Sequence, residues 1–172
     1  ALLKKDTCAI LVRSVDESPT LALKKELLKR RWSNDLKLSR ESLLQFLSKV
    51  DEVLKGRHVY IFFDQFEEFV IKLSEAKQDE FARELADCVA DTSIPVHFIF
   101  SLRSDYFGET TALRKRLKDR VGGEYLVRSL KVDEARRAIV GPLERFGITY
   151  QDGLVDAILQ HLGSSEVDSP QL

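Results

Sequence analysis

An aspartate at the end of a short apolar segment is the residue of this chain to which chemistry is most readily assigned. Residues 59–63 are apolar and β-prone, and Asp64 follows them directly. Such a segment is typical of a strand buried on both faces of a parallel sheet. Open α/β sheets bind their ligands at the carboxyl ends of these strands, where a carboxylate could orient Mg²⁺ opposite phosphate groups. The alternative is that Asp64 only caps the helix that follows.

Three polar side chains next to Asp64 could place a water molecule for hydrolysis. Gln65 can position water through its amide but cannot take a proton from it, so we expect hydrolysis to be slow or conditional. Glu67 and Glu68 are acids that could assist. Their alternative role is that of solvated residues in a first helical turn.

A second predicted strand, residues 94–102, also leads from apolar residues into charged ones. Arg103 follows it, and a guanidinium can contact a γ-phosphate with two hydrogen bonds. Arg103 could equally form a structural ion pair with Asp105 or with Asp64. If the two strands are neighbours in one parallel sheet, Asp64 and Arg103 lie at the same edge and face one crevice.

The elements that must position these residues alternate between strands and helices in the first two thirds of the chain. This alternation predicts a parallel sheet covered by helices, whereas the last third is predicted to be helical. The segment 66–89 fits either a helical hairpin or one long helix. Leu43, Leu47, Val50 and Leu54 are spaced as the buried face of a further helix, which Ser42 helps to open and Gly56 ends. Further strands are predicted at residues 8–13 and 124–128.

Composition excludes several classes of protein. The 172 residues suffice for a domain with a core, and a hydrophobic content of 44% beside a charged content of 32% is typical of a globular chain without membrane spans. A net charge of −1 provides no general attraction to nucleic acid. The basic segment 113–120 is interpreted as a solvated helix face, with a nucleic-acid patch as the alternative. The three histidines show no ligand spacing.

Two features of composition concern the setting of the chain. Cys8 and Cys88 lie in apolar contexts, which favours buried thiols over a disulfide and therefore a reducing, cytoplasmic location. The sequence contains no methionine, so we expect it to be a piece of a longer protein.

At these motifs the chain resembles the novel STAND family of bacterial signalling ATPases, which are P-loop NTPases. The segment 64–68 reads Asp-Gln-Phe-Glu-Glu, the family's form of the Walker B motif, and residues 102–106 resemble its sensor strand. Residues 130–142 with Gly147 resemble the helix after the core, and Val12, Arg13 and Pro19 resemble the strand and helix that follow the family's P-loop helix. The resemblance covers nearly the whole chain, in order.

The resemblance implies a three-layer α/β fold of the AAA+/STAND type, present in part. Residues 1–130 would form the NTPase core, with a parallel sheet and flanking helices, and residues 131–172 the start of a helical lid. It also implies Mg²⁺ and ATP or GTP as cofactors of an oligomerising switch. Asp64 would hold Mg²⁺, Arg103 would sense the γ-phosphate, Gln65, Glu67 or Glu68 would place the attacking water, and Pro170 would touch the base.

One departure from the family pattern limits these expectations. The phosphate-binding loop Gly-x-x-x-x-Gly-Lys-[Ser/Thr] does not occur in the sequence and would lie upstream of Ala1. Without its backbone N–H groups and lysine, we expect these residues to bind Mg–ATP only weakly. The alternative function is a non-catalytic interaction or oligomerisation module that retains the fold. A nucleic-acid-dependent motor that uses the basic segment is a weaker third possibility.

Overall fold

The structure is a computed structural model that describes residues 7–13, 18–30, 40–117, 122–162 and 166–167. The chain divides into two compact units, Ala1–Glu124 and Tyr125–Leu172. No helix in the described part of the chain combines the length and the apolar composition that crossing a bilayer requires.

The first unit is built on a sheet of three parallel strands. These are β1 (Thr7–Val12), β2 (His58–Phe63) and β3 (Val96–Phe100), in the order β1-β2-β3. Val12 pairs with Phe63, and Phe63 pairs with Phe100, so the three strands end in register. The predicted α/β class, a parallel sheet with flanking helices, is therefore confirmed.

Helices connect the strands, as parallel pairing requires. The helices of this unit are α1 (Pro19–Lys29), α2 (Leu43–Leu54), α3 (Glu67–Lys72), α4 (Glu75–Ala90) and α5 (Thr111–Leu117), and a 3₁₀ segment (Ser104–Thr110) precedes α5. The segment 66–89, which the sequence left open, forms two helices. Leu73 interrupts them with extended backbone, φ −99° and ψ 140°, and Ser74 is the N-cap of the second.

Helix α2 illustrates how local sequence sets the ends of an element. The Ser42 side chain accepts a hydrogen bond from the Gln45 backbone N–H at 3.2 Å, and the Gln45 side chain accepts one from the Ser42 N–H at 3.1 Å. At the other end, Lys55 and Gly56 have positive φ angles of 55° and 74°, which turn the chain toward β2. The predicted inward residues of this helix are all buried: Leu43, Leu47, Val50 and Leu54.

The core of the first unit lies against one face of the sheet. It combines the side chains of this face with those of the helices, and none of the described residues of the opposite face belongs to it. On that opposite face the apolar side chains of Leu11, Phe62 and Ile99 are paired in register and remain 36–43% exposed. Strand residues in the core are Ile10, Val12, Val59, Ile61 and Phe63.

The basic segment contributes to this core through its leucines. Leu113 and Leu117 of α5 are buried, while Arg114 bonds Glu124 and Arg116 bonds Asp79. This arrangement agrees with a solvated helix face over residues 113–117; residues 118–120 lie outside the described residues.

The second unit contains two helices and a short antiparallel strand pair. The helices are α6 (Val132–Arg145) and α7 (Leu154–Leu162), and β4 (Leu130–Lys131) pairs with β5 (Glu166–Val167). Its buried centre is formed by Ala135, Val155 and Leu159. The prediction of a strand at residues 124–128 is wrong. These residues have no regular structure, and Tyr125 and Val127 are 90% and 74% exposed, because no neighbouring strand pairs with them in the described residues.

Candidate functional site

The carboxyl edge of the sheet gathers the ends of three strands. Beyond the strands themselves, the Asp64 N–H donates to the Val12 carbonyl at 3.0 Å, and the Ser101 N–H donates to the Phe63 carbonyl at 2.8 Å. Asp64 follows β2, and Arg103 follows β3 by three residues. The prediction that both lie at the same edge, after adjacent parallel strands, is confirmed.

The Asp64 carboxylate is engaged by an arginine that sequence analysis did not assign to the site. Arg13, the residue directly after β1, donates from Nε to Asp64 Oδ2 at 3.2 Å. The Asp64 side chain is 33% exposed and that of Arg13 is 69% exposed. The only sequence signal for this contact is that Arg13 also ends an apolar strand, as Asp64 does.

The backbone turns sharply at Gln65, immediately after the acid. Gln65 has a φ of +56°, in the left-handed region that side-chain-bearing residues seldom adopt. The turn is held on both sides, because the Phe66 N–H donates to the Ser101 carbonyl at 2.8 Å and the Glu68 N–H donates to the Gln65 carbonyl at 3.0 Å. The Gln65 side chain is exposed at this edge, which leaves it accessible to a water molecule or ligand.

The two glutamates that follow differ in their contacts. Glu67 Oε2 accepts a long hydrogen bond, 3.4 Å, from the backbone N–H of Arg103, so Glu67 reaches the end of β3. Glu68 instead pairs with Lys72 one turn along α3, at 2.8 Å. Of the two acids, Glu67 therefore joins the strand ends, whereas the contact of Glu68 is local to its helix.

Arg103 is held by a neighbour in its own segment. Its Nε and Nη2 donate to the two carboxylate oxygens of Asp105 at 3.2 and 2.7 Å. The guanidinium also lies 5.6 Å from the centre of the Tyr106 ring. Of the two partners that the sequence allowed, Asp105 is the one observed; Asp64 pairs with Arg13 instead.

A cluster of phenylalanines supports the turn from beneath. Phe66 lies 4.5 Å from Phe69 and 4.6 Å from Phe100, measured between ring centres, and Phe63 lies 5.2 Å from Phe100. Phe63 and Phe66 are each 1% exposed. Since densely packed rings leave little room for movement, Asp64 and Gln65 are anchored on both sides by buried residues.

A model of the family named Novel STAND NTPase 1 matches residues 2–171. The chain belongs to this family. Among solved structures, it is similar to the Walker-type ATPase PABY2304 of Pyrococcus abyssi, with a TM-score of 0.60 and 16% identity. The match covers 90% of this chain and 51% of that one, so the chain spans about half the length of this neighbour. No curated protein sequence matches the chain.

The family implies nucleotide and metal use, and the donor set at the edge fits Mg²⁺ that arrives with phosphates. Within the described ranges there is no group of three or more His, Cys, Asp or Glu side chains that could hold a metal alone. Asp64 supplies hard carboxylate oxygens, and Mg²⁺ is usually held by one or two carboxylates together with substrate phosphates and water. Pro170, which the family resemblance also implies for the site, lies outside the described residues.

Two histidines that looked unrelated in the sequence lie together at the other end of the strands. His58 Nδ1 and His97 Nε2 are 3.0 Å apart, and the His97 ring stacks on Tyr60 with 4.7 Å between centres. Burial, and then the nearby His58, lowers the pKa of His97. Their pairing follows from the register of β2 and β3, which sequence spacing does not reveal.

Proposed function

We propose that this chain is part of the nucleotide-binding core of a STAND ATPase that switches conformation with ATP or GTP. In this role Asp64 holds Mg²⁺ and Arg103 senses the γ-phosphate. The observation that carries the proposal is the position of these two residues after adjacent parallel strands, at the edge where such sheets bind ligands.

The charges at this edge suit a metal–phosphate ligand. Asp64 offers a carboxylate for the cation, and the guanidinium groups of Arg13 and Arg103 offer paired donors for phosphate oxygens. Both arginine side chains are about two-thirds exposed, so a ligand can reach them. In the present arrangement each is neutralised by an aspartate, which an incoming anion must replace.

The residues beside Asp64 favour slow hydrolysis over rapid turnover. Gln65 can orient a water molecule but accepts no proton from it. Glu67 is the better candidate for a base than Glu68, since it reaches the end of β3 while Glu68 pairs along its own helix. A nucleotide that persists before hydrolysis is what a switch requires.

The remaining assignments complete the proposal. The second unit would be the start of the lid, with Pro170 against the base, and nucleotide state would bias self-association of the full-length protein. A cytoplasmic location fits the two free thiols, Cys8 and Cys88. The switch would respond to a protein or ligand trigger.

The decisive experiment compares Asp64→Ala with Arg103→Ala in the full-length protein, by calorimetric titration with triphosphate and diphosphate nucleotides. Asp64→Ala should weaken both complexes where binding depends on Mg²⁺. Arg103→Ala should chiefly reduce the preference for triphosphate, by about ten- to a hundredfold, the value of one charge-assisted contact. Asp105→Ala is the matched control, because it removes the partner of Arg103 and leaves the guanidinium in place. Unchanged discrimination in Arg103→Ala would refute the sensor role.

A non-catalytic interaction module is the second candidate, and the uncovered face of the sheet favours it. Leu11, Phe62 and Ile99 form an exposed apolar row, and such rows often mark interaction surfaces. This candidate predicts concentration-dependent self-association that Phe62→Asp abolishes and that nucleotide does not affect. Analytical ultracentrifugation with and without Mg–ATP separates the two functions.

A further inference from the structure

The contact between Arg13 and Asp64 links two strand ends through the carboxylate proposed to bind metal. Arg13 and Asp64 are 51 positions apart in sequence, and the register that pairs Val12 with Phe63 makes them neighbours. Arg103, the other cation of this edge, bonds Asp105 instead. In the described part of the chain, Arg13 is thus the cation that contacts Asp64 Oδ2, an oxygen that a metal would need.

We propose that Arg13 is a positioning residue that occupies Asp64 until a divalent cation binds and is then displaced to face the accompanying anion. The proposal rests on the metal role proposed for Asp64. A guanidinium and a divalent cation compete for the same carboxylate oxygens, and their like charges repel each other at short range. Binding of the cation to Asp64 is therefore weaker while the guanidinium of Arg13 stays on the same carboxylate.

The displacement requires only side-chain movement. The backbone of β1 is tied to Asp64 by the hydrogen bond from the Asp64 N–H to the Val12 carbonyl, at 3.0 Å. The Arg13 side chain itself is 69% exposed and makes a single contact to the carboxylate through Nε, rather than the two-pronged contact of Arg103. An exposed ion pair of this kind is weak and is readily replaced.

Two measurements on the protein without nucleotide test the proposal. In the first, the Nε–H signal of Arg13 is followed by NMR during titration with Mg²⁺ alone. It should move toward its position in the Asp64→Asn variant as the cation takes the carboxylate. In the second, Mn²⁺ is the probe, and its affinity is read from the paramagnetic broadening of the amide signals of residues 64–66.

Removing the competing guanidinium should raise the affinity for Mn²⁺. We expect Arg13→Gln to increase it by about three- to tenfold, since the variant loses both an ion pair and a repulsive charge. Arg13→Lys should stay close to wild type. Arg116→Gln, which breaks an arginine–aspartate pair between α5 and α4, is the matched control and should have no effect.

The outcomes separate this inference from the proposed function. If Asp64→Asn does not abolish the Mn²⁺ broadening of residues 64–66, the metal role of Asp64 fails, and the role of Arg13 fails with it. If the broadening depends on Asp64 but Arg13→Gln binds Mn²⁺ no more tightly than wild type, the inference alone is overturned. The inference is also overturned if the Arg13 Nε–H signal does not move on addition of Mg²⁺ or in the Asp64→Asn variant. This second test requires no substitution of Arg13.

Discussion

The guanidinium of Arg103 donates two hydrogen bonds, of 3.2 and 2.7 Å, to the carboxylate of Asp105, two residues further along the chain. This contact sets the resting position of the proposed phosphate sensor. The two side chains are 67% and 55% exposed, so water competes for both partners. A phosphate that draws Arg103 away therefore breaks a local pair and leaves the core intact.

The first prediction follows from this exposure. Arg103→Ala should change the free energy of unfolding by less than about 1 kcal/mol, because exposed ion pairs contribute little. Urea denaturation measures this, with Asp105→Ala as the companion variant that removes the other partner. A loss above about 2 kcal/mol in either variant would show that the pair supports the fold.

The second prediction contrasts two consecutive phenylalanines. Phe63 is 1% exposed and its ring contacts those of Phe66, Phe81 and Phe100, so Phe63→Ala should cost about 3–5 kcal/mol. Phe62 points to the other face and is 36% exposed, and Phe62→Ala should cost only about 1–2 kcal/mol, since less apolar area is lost from the interior. Chemical denaturation of both variants measures the two losses in free energy of unfolding. Equal losses would mean that the face of the sheet that carries Phe62 is also packed.

The third prediction concerns the left-handed turn at Gln65. Gln65→Gly should lower the free energy of unfolding by clearly less than glycine does inside a helix, because relief of strain offsets the added freedom of the unfolded chain. Gln65→Val should be at least about 1 kcal/mol less stable than Gln65→Gly, since a β-branched residue is strongly disfavoured at positive φ.

Glu68→Gly is the control for this turn, because Glu68 lies inside α3, where glycine should cost about 1 kcal/mol. Thermal melts of the three variants provide the measurement. If glycine is as harmful at position 65 as at position 68, the backbone at Gln65 is not left-handed in solution.

The fourth prediction is a pH dependence caused by Cys88. Burial, followed by the charges of Glu84, Asp87 and Asp91, raises the pKa of Cys88 from 9.0 to about 12. Between these two values the unfolded thiol loses its proton while the folded one keeps it. The unfolded state then binds fewer protons, so the free energy of unfolding must fall as pH rises, by up to about 1.4 kcal/mol per unit.

Cys88→Ala isolates this contribution from the other groups that titrate in the same range. Urea denaturation at several pH values from 9 to 11 should show a steeper decline for wild type than for the variant. Parallel declines would mean that the thiol ionises equally well in the folded protein.

The sequence predicted those parts of the fold that depend on local patterns. The strand before Asp64 and the buried face of α2 carry their periodicity and caps within a dozen residues, so neighbouring positions are sufficient to identify them. Residues 124–128 show the limit of this reasoning, because an apolar, β-prone segment forms a strand only where a partner strand is available. The sequence also did not decide between one helix and two on either side of Leu73, since the helical pattern continues on both sides of it.

The site was predicted only as far as strand ends could be recognised. Asp64 and Arg103 each end an apolar strand, and parallel pairing brings such ends together. The contact of Arg13 with Asp64 depends on the register between strands that are distant in sequence, for which no local pattern exists. Glu67 and Glu68 could not be distinguished either, because their directions depend on the residue at which α3 begins.

Backbone hydrogen bonds continue beyond the ends of the strands and also hold the candidate site in place. The amides of Asp64, Phe66 and Ser101 all donate to backbone carbonyls of the sheet and its extension. Their deuterium exchange should therefore require separation of β2 from its neighbours β1 and β3, and be among the slowest in the chain. A ligand at this edge would meet a backbone that is already ordered before it arrives, so little of its binding energy is lost to ordering the site.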